Sequence, residues 1–173
     1  MATYAARAPA DTRFVFLGDL VDRGPESEAV LEWLAKPWFH AVMGNHDDMA
    51  LRWPLGNMQG DIYRRNGGGW NMDQSPEGQA AISSAMAALP IAIEVETVGG
   101  IVGLVHADVS CGTWRGFCAA LNGDFGRVEA RHAQHMAMWS RGRIMDGDNS
   151  GVEGVRALVV GHTPLQQPII LGN

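Results

Sequence analysis

Four apolar runs in this chain end in the same way. "FVFLGD" reaches Asp19, "HAVMGNH" reaches Asn45, "VGLVHAD" reaches His106 and "LVVGHT" reaches His162. Each run has the length and composition of a buried strand. Each stops at a side chain that can hold a metal ion, and Gly18, Gly44 and Gly161 stand directly before three of them. In open α/β sheets ligands bind beyond the carboxyl ends of strands, so four such ends can converge on one point. One carboxylate, one amide oxygen and two imidazoles form a mixed O/N set. That set suits Mn, Fe or Zn better than Ca or Mg, because imidazole favours transition metals. A lone His after a strand is ordinarily a capped or solvated group. Four coincident strand ends turn the balance towards a site.

The segments between these runs read as helices and turns. Strands are predicted at 13–17, 38–43 and 157–164, with another starting at Pro168. Helices are predicted at 27–36 with Ser27 as cap, from Asp47 onward, at 75–89 with Ser75 as cap and Pro76 in the first turn, and at 127–139. Residues 65–71 read as a glycine loop, and 91–108 as a hairpin turning at Gly99–Gly100. Strands alternating with helices, followed by a hairpin, predict an α/β architecture with a mixed sheet. A length of 173 residues suits one domain spanning 1–173.

The charge balance excludes some functions. A formal net charge of −6 gives no general attraction to nucleic acid or anionic lipid. No apolar run approaches the ~18 residues of a membrane span. The opening residues lack the apolar core of a secretory signal, so the cytoplasm is the expected location. Cys111 and Cys118 are too few for a disulfide framework and wrongly spaced for zinc. His132 and His135 read as an exposed helix face, and Trp53, Trp70 and Trp139 as packing. Gly67–Gly69 is open between a phosphate cradle and a mobile loop.

Three residues near the strand ends add chemistry. His46 follows Asn45 and can donate a proton to a leaving oxygen if a carboxylate holds it. Asp22, in the first loop, can be that carboxylate. Arg23 offers a planar fork for two phosphate oxygens. A metal-polarised water, an acid and an arginine fork are the parts needed to hydrolyse a phosphate ester.

The blocks "GDLVDRG" (18–24), "GNHD" (44–47), "HAD" (106–108) and "GHTP" (161–164) resemble, in order, the signatures of the metallophosphoesterase superfamily and its phosphoprotein phosphatase family. "NGGGW" (66–70) and "W-x-R-x-R-I" (139–144) are similar to the subgroup of phage lambda phosphatase and bacterial Ser/Thr phosphatases. The resemblance implies a layered α/β/α mixed-sheet sandwich. It implies Asp19 as a bridge between two metals, with Asn45, His106 and His162 completing the second. It also implies His46 as general acid oriented by Asp22, and Arg23 and Arg141 gripping the phosphoryl group. The implied reaction is hydrolysis of phosphoserine or phosphothreonine on proteins, by in-line attack of metal-bound hydroxide. Mn²⁺ is the first expectation for the metal, with Fe or Zn as alternatives.

The family opens with G-D-x-H-G, whose Asp and His bind the first metal. Twelve residues precede Arg13, and none is a His. A further family strand around "D-T-G" has no counterpart before Asn173. The expectation is therefore a domain trimmed at both ends, holding one ion where relatives hold two, with reduced activity. An exposed sheet edge would then favour oligomers. A symmetrical dinucleoside tetraphosphate hydrolase shares the metal blocks, and a non-catalytic remnant is the third reading.

Overall fold

The computed structural model describes residues 8–173. Part of the segment in which a D-x-H-G block would stand, residues 1–7, lies outside the described residues. Strand β1 (Phe14–Phe16) pairs in parallel with β2 (Phe39–Ala41), Phe14 opposite Phe39. Phe16 and Phe39 stack on this pair with ring centres 4.4 Å apart. A second sheet holds β3 (Ala92–Thr97), β4 (Gly100–Val105) and β5 (Ala157–Val159) in that order, with β3 antiparallel and β5 parallel to β4. The expected mixed sheet is thus β3–β4–β5, while β1–β2 form a separate parallel pair. The two are tied where Met43, just after β2, donates its N–H to the C=O of Pro90, just before β3, at 2.8 Å.

The chain between β1 and β2 makes a 3₁₀ turn (Ser27–Ala29) and helix α1 (Val30–Leu34). Ser27 does not cap it as expected. It lies inside the turn, buried, with its hydroxyl facing Gly24 C=O at 3.5 Å. Helix α2 (Asn45–Arg52) begins two residues before Asp47, after Val42, Met43 and the N-cap Gly44, so Asn45 and His46 belong to its first turn. Asp47 and Asp48 favour that end of the helix dipole. Two short helices, α3 (Gly60–Arg65) and α4 (Gly69–Met72), flank the glycine block. Helix α5 (Pro76–Ala87) is capped as expected, Ser75 Oγ accepting from Gly78 N–H at 3.2 Å.

After the hairpin come α6 (Trp114–Leu121), α7 (Arg127–Trp139) and α8 (Gly142–Asp146). Helix α6 was not anticipated. Two glycines interrupt its surroundings, but Thr113 Oγ1 caps it by accepting from Gly116 N–H at 3.1 Å. No strand follows Pro168. That segment is irregular, and the Asn173 side chain fastens it by bonding the Val152 and Val155 backbones.

Two apolar clusters support these layers. One gathers Val105, Trp114, Phe117, Ala133, Ala137 and Val152 between β4, α6 and α7. The other gathers Val21, Val30, Met49, Tyr63, Ile82 and Met86 between the first loop, α2 and α5. The segments that follow β1, β2, β4 and β5 converge through Asp19, Asn45, His106 and His162. No helix among the described residues is long and apolar enough to cross a membrane.

Candidate active site

The loop after β1 is bent at unusual backbone angles. Asp19, Asp22 and Arg23 have φ of 53°, 69° and 56°, and His162 has 60°. Among the described residues these are the non-glycine positions in the left-handed region, and all four are candidate site residues. Such conformations cost of order 1–3 kcal/mol each and persist where the surroundings over-determine them. Two tight hydrogen bonds help here: Gly24 N–H to Asp22 C=O at 2.6 Å, and Thr163 N–H to Gly161 C=O at 2.7 Å.

Asp47 ties this loop to α2. One of its oxygens accepts from Gly44 N–H and the other from Leu20 N–H, both at 2.9 Å. The carboxyl is fully buried, and burial, with the nearby Asp19 charge, pushes its pKa up to about 7 against the pull of those two N–H groups. The first bond matches the acid half of a capping box, a local signal in "GNHD" that reading for metal ligands passed over.

The four strand-end side chains come together. His106 Nε2 lies 3.0 Å from Asn45 Oδ1, 3.1 Å from His162 Nδ1 and 3.3 Å from Asp19 Oδ1. Nδ1 of His106 donates to the Leu17 carbonyl, which leaves Nε2 with a bare lone pair facing two oxygens that can only accept. Burial is the main force holding the His106 pKa below its ordinary value, and the Asp19 carboxylate opposes it. His162 is pushed down to about 4, first by burial and then by the charges of His106 and Arg141. Both rings are therefore neutral at pH 7 and able to bind metal. Ligand atoms held about 2.0–2.2 Å from one ion stand roughly 3.0–3.5 Å apart, so the observed spacing and donor chemistry fit a transition-metal dication. Among the described residues, Asp19, His106 and His162 form the one group of three or more acidic, His or Cys side chains with that convergence.

Beside the cluster stands a buried acid–imidazole pair. His46 N–H donates to Asp19 Oδ1 at 3.1 Å, which fixes the start of α2 against the cluster. Its ring Nδ1 donates to Asp22 Oδ2 at 2.7 Å. The side chains are 6% and 0% exposed, so this is no solvated surface pair of the kind that contributes little. The second Asp22 oxygen accepts from Trp70 Nε1 at 2.8 Å. Trp70 packs on the second apolar cluster, as its sequence reading expected, but it also holds Asp22.

The two arginines are exposed. Arg141 lies close enough to lower the pKa of both cluster histidines. Arg23 reaches Asn66 Oδ1 at 3.0 Å. His132 and His135 are exposed on α7, outside the cluster, as expected. The glycine block is not a phosphate cradle at Gly67 and Gly68, whose N–H groups are taken by Arg64 and Tyr63 carbonyls at 3.1 and 3.0 Å.

A sequence profile described as calcineurin-like phosphoesterase matches residues 4–166. The chain belongs to the calcineurin-like phosphoesterase family. Within reach of that family it is 30% identical over 168 residues to "Serine/threonine-protein phosphatase 1" of Salmonella typhimurium (strain LT2), covering 95% of this chain and 71% of that protein. It is 27% identical over 161 residues to "Serine/threonine-protein phosphatase 2" of the same organism, covering 90% of this chain and 68% of the relative. A 97-residue match at 38% identity to "Serine/threonine-protein phosphatase 2" of Escherichia coli (strain K12) covers 54% of this chain and 44% of that protein. In this calcineurin-like phosphoesterase, the four residues that close the apolar runs lie together.

Proposed function

We propose that this phosphoesterase removes phosphoryl groups from serine and threonine side chains of proteins. The observation that supports this best is the contact between the His46–Asp22 pair and the cluster of Asp19, Asn45, His106 and His162. A proton donor and an ion site are thereby joined through one carboxylate. The relatives' names point the same way.

Asp19, Asn45, His106 and His162 hold the ion, Mn²⁺ first and Fe or Zn as alternatives, one per chain. A dication there supplies Lewis-acid charge for phosphoryl oxygens and an acidified water. Asp22 fixes the His46 ring with its Nδ1–H engaged. That leaves Nε2 to carry the proton that the departing serine or threonine oxygen takes up. Arg23 and Arg141 bind the non-bridging phosphoryl oxygens as forks.

The test is turnover of a phosphoserine peptide and of diadenosine tetraphosphate, both with Mn²⁺, by the wild type and by His46→Asn. Phosphopeptide should be the preferred substrate. His46→Asn should lower kcat by about 10²-fold or more with metal content unchanged. Preference for the dinucleotide contradicts the substrate, and loss of metal in His46→Asn contradicts the role of His46.

A further inference from the structure

The geometry points to the Asn66–Trp70 block as a clamp that positions the Asp22–Arg23 loop, with Trp70 orienting the proton-donor pair and Asn66 orienting the anion-binding arginine. This rests on the reading of His46 as proton donor.

Three contacts from one short turn of chain fall on two consecutive residues. Trp70 Nε1 donates to Asp22 Oδ1 at 2.8 Å while Asp22 Oδ2 takes the His46 ring at 2.7 Å. Two donors on opposite oxygens fix the plane of the carboxylate, and so fix which way the imidazole faces. The Asp22 side chain is sealed from water, so nothing replaces the indole if it is removed. Arg23 Nη2 donates to Asn66 Oδ1 at 3.0 Å, and Asn66 is itself anchored by donating to Ile62 C=O at 2.9 Å. Between them, the Gly67 backbone lies directly against the loop. A Cβ there would fall 2.8 Å from Arg23 N and 3.2 Å from Asp22 Cβ, and φ is +102°.

The clamp has its own seat. A Cβ on Gly68 would lie 2.2 Å from the Tyr63 ring. The Tyr63 hydroxyl in turn accepts from Asn71 Nδ2 at 3.0 Å, deep in the second apolar cluster. The glycines let the backbone press onto Tyr63 on one side and onto Asp22 and Arg23 on the other. Asp22 and Arg23 are two of the four left-handed non-glycine residues described, and the clamp accounts for how both are held there.

The test reads each arm separately on the full chain. For the proton arm, ¹⁵N spectra of the neutral His46 ring are recorded in the wild type and in Trp70→Phe. The expected result is an Nδ1–H tautomer in the wild type and a mixture in Trp70→Phe. Where turnover is measured, Trp70→Phe should lower kcat about tenfold with KM little changed. It should add nothing on an Asp22→Asn background. For the anion arm, Asn66→Ala should weaken inorganic phosphate binding roughly tenfold without altering the His46 tautomer. Asn66→Gln, which keeps an amide oxygen for Arg23 and an N–H₂ for a carbonyl partner without adding charge, should restore part of that binding. An unchanged tautomer in Trp70→Phe, or its full kcat effect persisting on Asp22→Asn, overturns the proton arm. Equal phosphate binding by Asn66→Ala and wild type overturns the anion arm. A His46→Asn variant with undiminished kcat would refute the proton-donor reading instead, and the tautomer and phosphate measurements would still decide the clamp.

Discussion

Gly18 and Gly44 meet backbone against backbone. A Cβ on Gly18 would lie 2.6 Å from Gly44 N and 2.9 Å from His106 Nδ1, and one on Gly44 would lie 2.4 Å from both the nitrogen and Oδ1 of Asp19. The ends of β1 and β2 can approach this closely only without side chains. That approach sets Asp19 and His106 within reach of one ion.

Gly44→Ala should therefore destabilise the fold by about 1–3 kcal/mol, the range for overpacking a close-packed site. It should also weaken metal binding. Gly161→Ala is the control, because its nearest neighbour, Leu17 Cβ, lies at an ordinary 3.4 Å. Chemical denaturation and metal titration of both variants check this. Equal behaviour would show that the glycine contact does not shape the site.

Asp47→Asn keeps size but replaces one accepting oxygen with an N–H₂ that faces a backbone donor. A buried N–H of Gly44 or Leu20 then loses its partner, at about 1–3 kcal/mol. The expected outcome is a lower denaturation midpoint at neutral pH and a loosened Asp19 loop, read as faster amide exchange at Leu20. Unchanged exchange at Leu20 would mean that Asp47 does not tether the loop.

The metal-free protein should lose stability as pH falls from 6.5 towards 4. Folded His162 has its pKa pushed down to about 4, whereas the unfolded residue takes up a proton near 6.5. Within that window the unfolded chain binds a proton that the folded one refuses, so acid favours unfolding. Above 6.5 the contribution is complete. Asp47, pushed up to about 7, acts in the opposite sense, taking its proton in the folded state first. Comparing wild type with His162→Asn in a chelating buffer isolates the histidine. The variant should show the smaller loss between pH 7.5 and 5, and an equal loss would refute the assignment.

What the sequence displayed depended on range. Helix α7 matches its sequence reading at both ends, 127 to 139, because an amphipathic repeat and a flanking glycine are local signals. Ser75 was legible as a cap for the same reason, and the four clustered strand-end residues because each closes an apolar run. Ser27 offered the same residue type in the same pattern, yet the chain entered a 3₁₀ turn and buried it. The bond from Trp70 to Asp22 spans 48 positions, and nothing in the residues around either end announces it. The strand expected from Pro168 had the right composition but pairs with no neighbour, and pairing is a property of the fold.

In the proposed site Asp19, Asn45, His106 and His162 enclose a single ion. Elemental analysis of the chain, equilibrated with Mn²⁺ and then desalted, tests it most directly in the wild type and in His106→Ala. One ion should remain per wild-type chain and none in the variant. Two tightly held ions in the wild type, or an ion retained by His106→Ala, would contradict it.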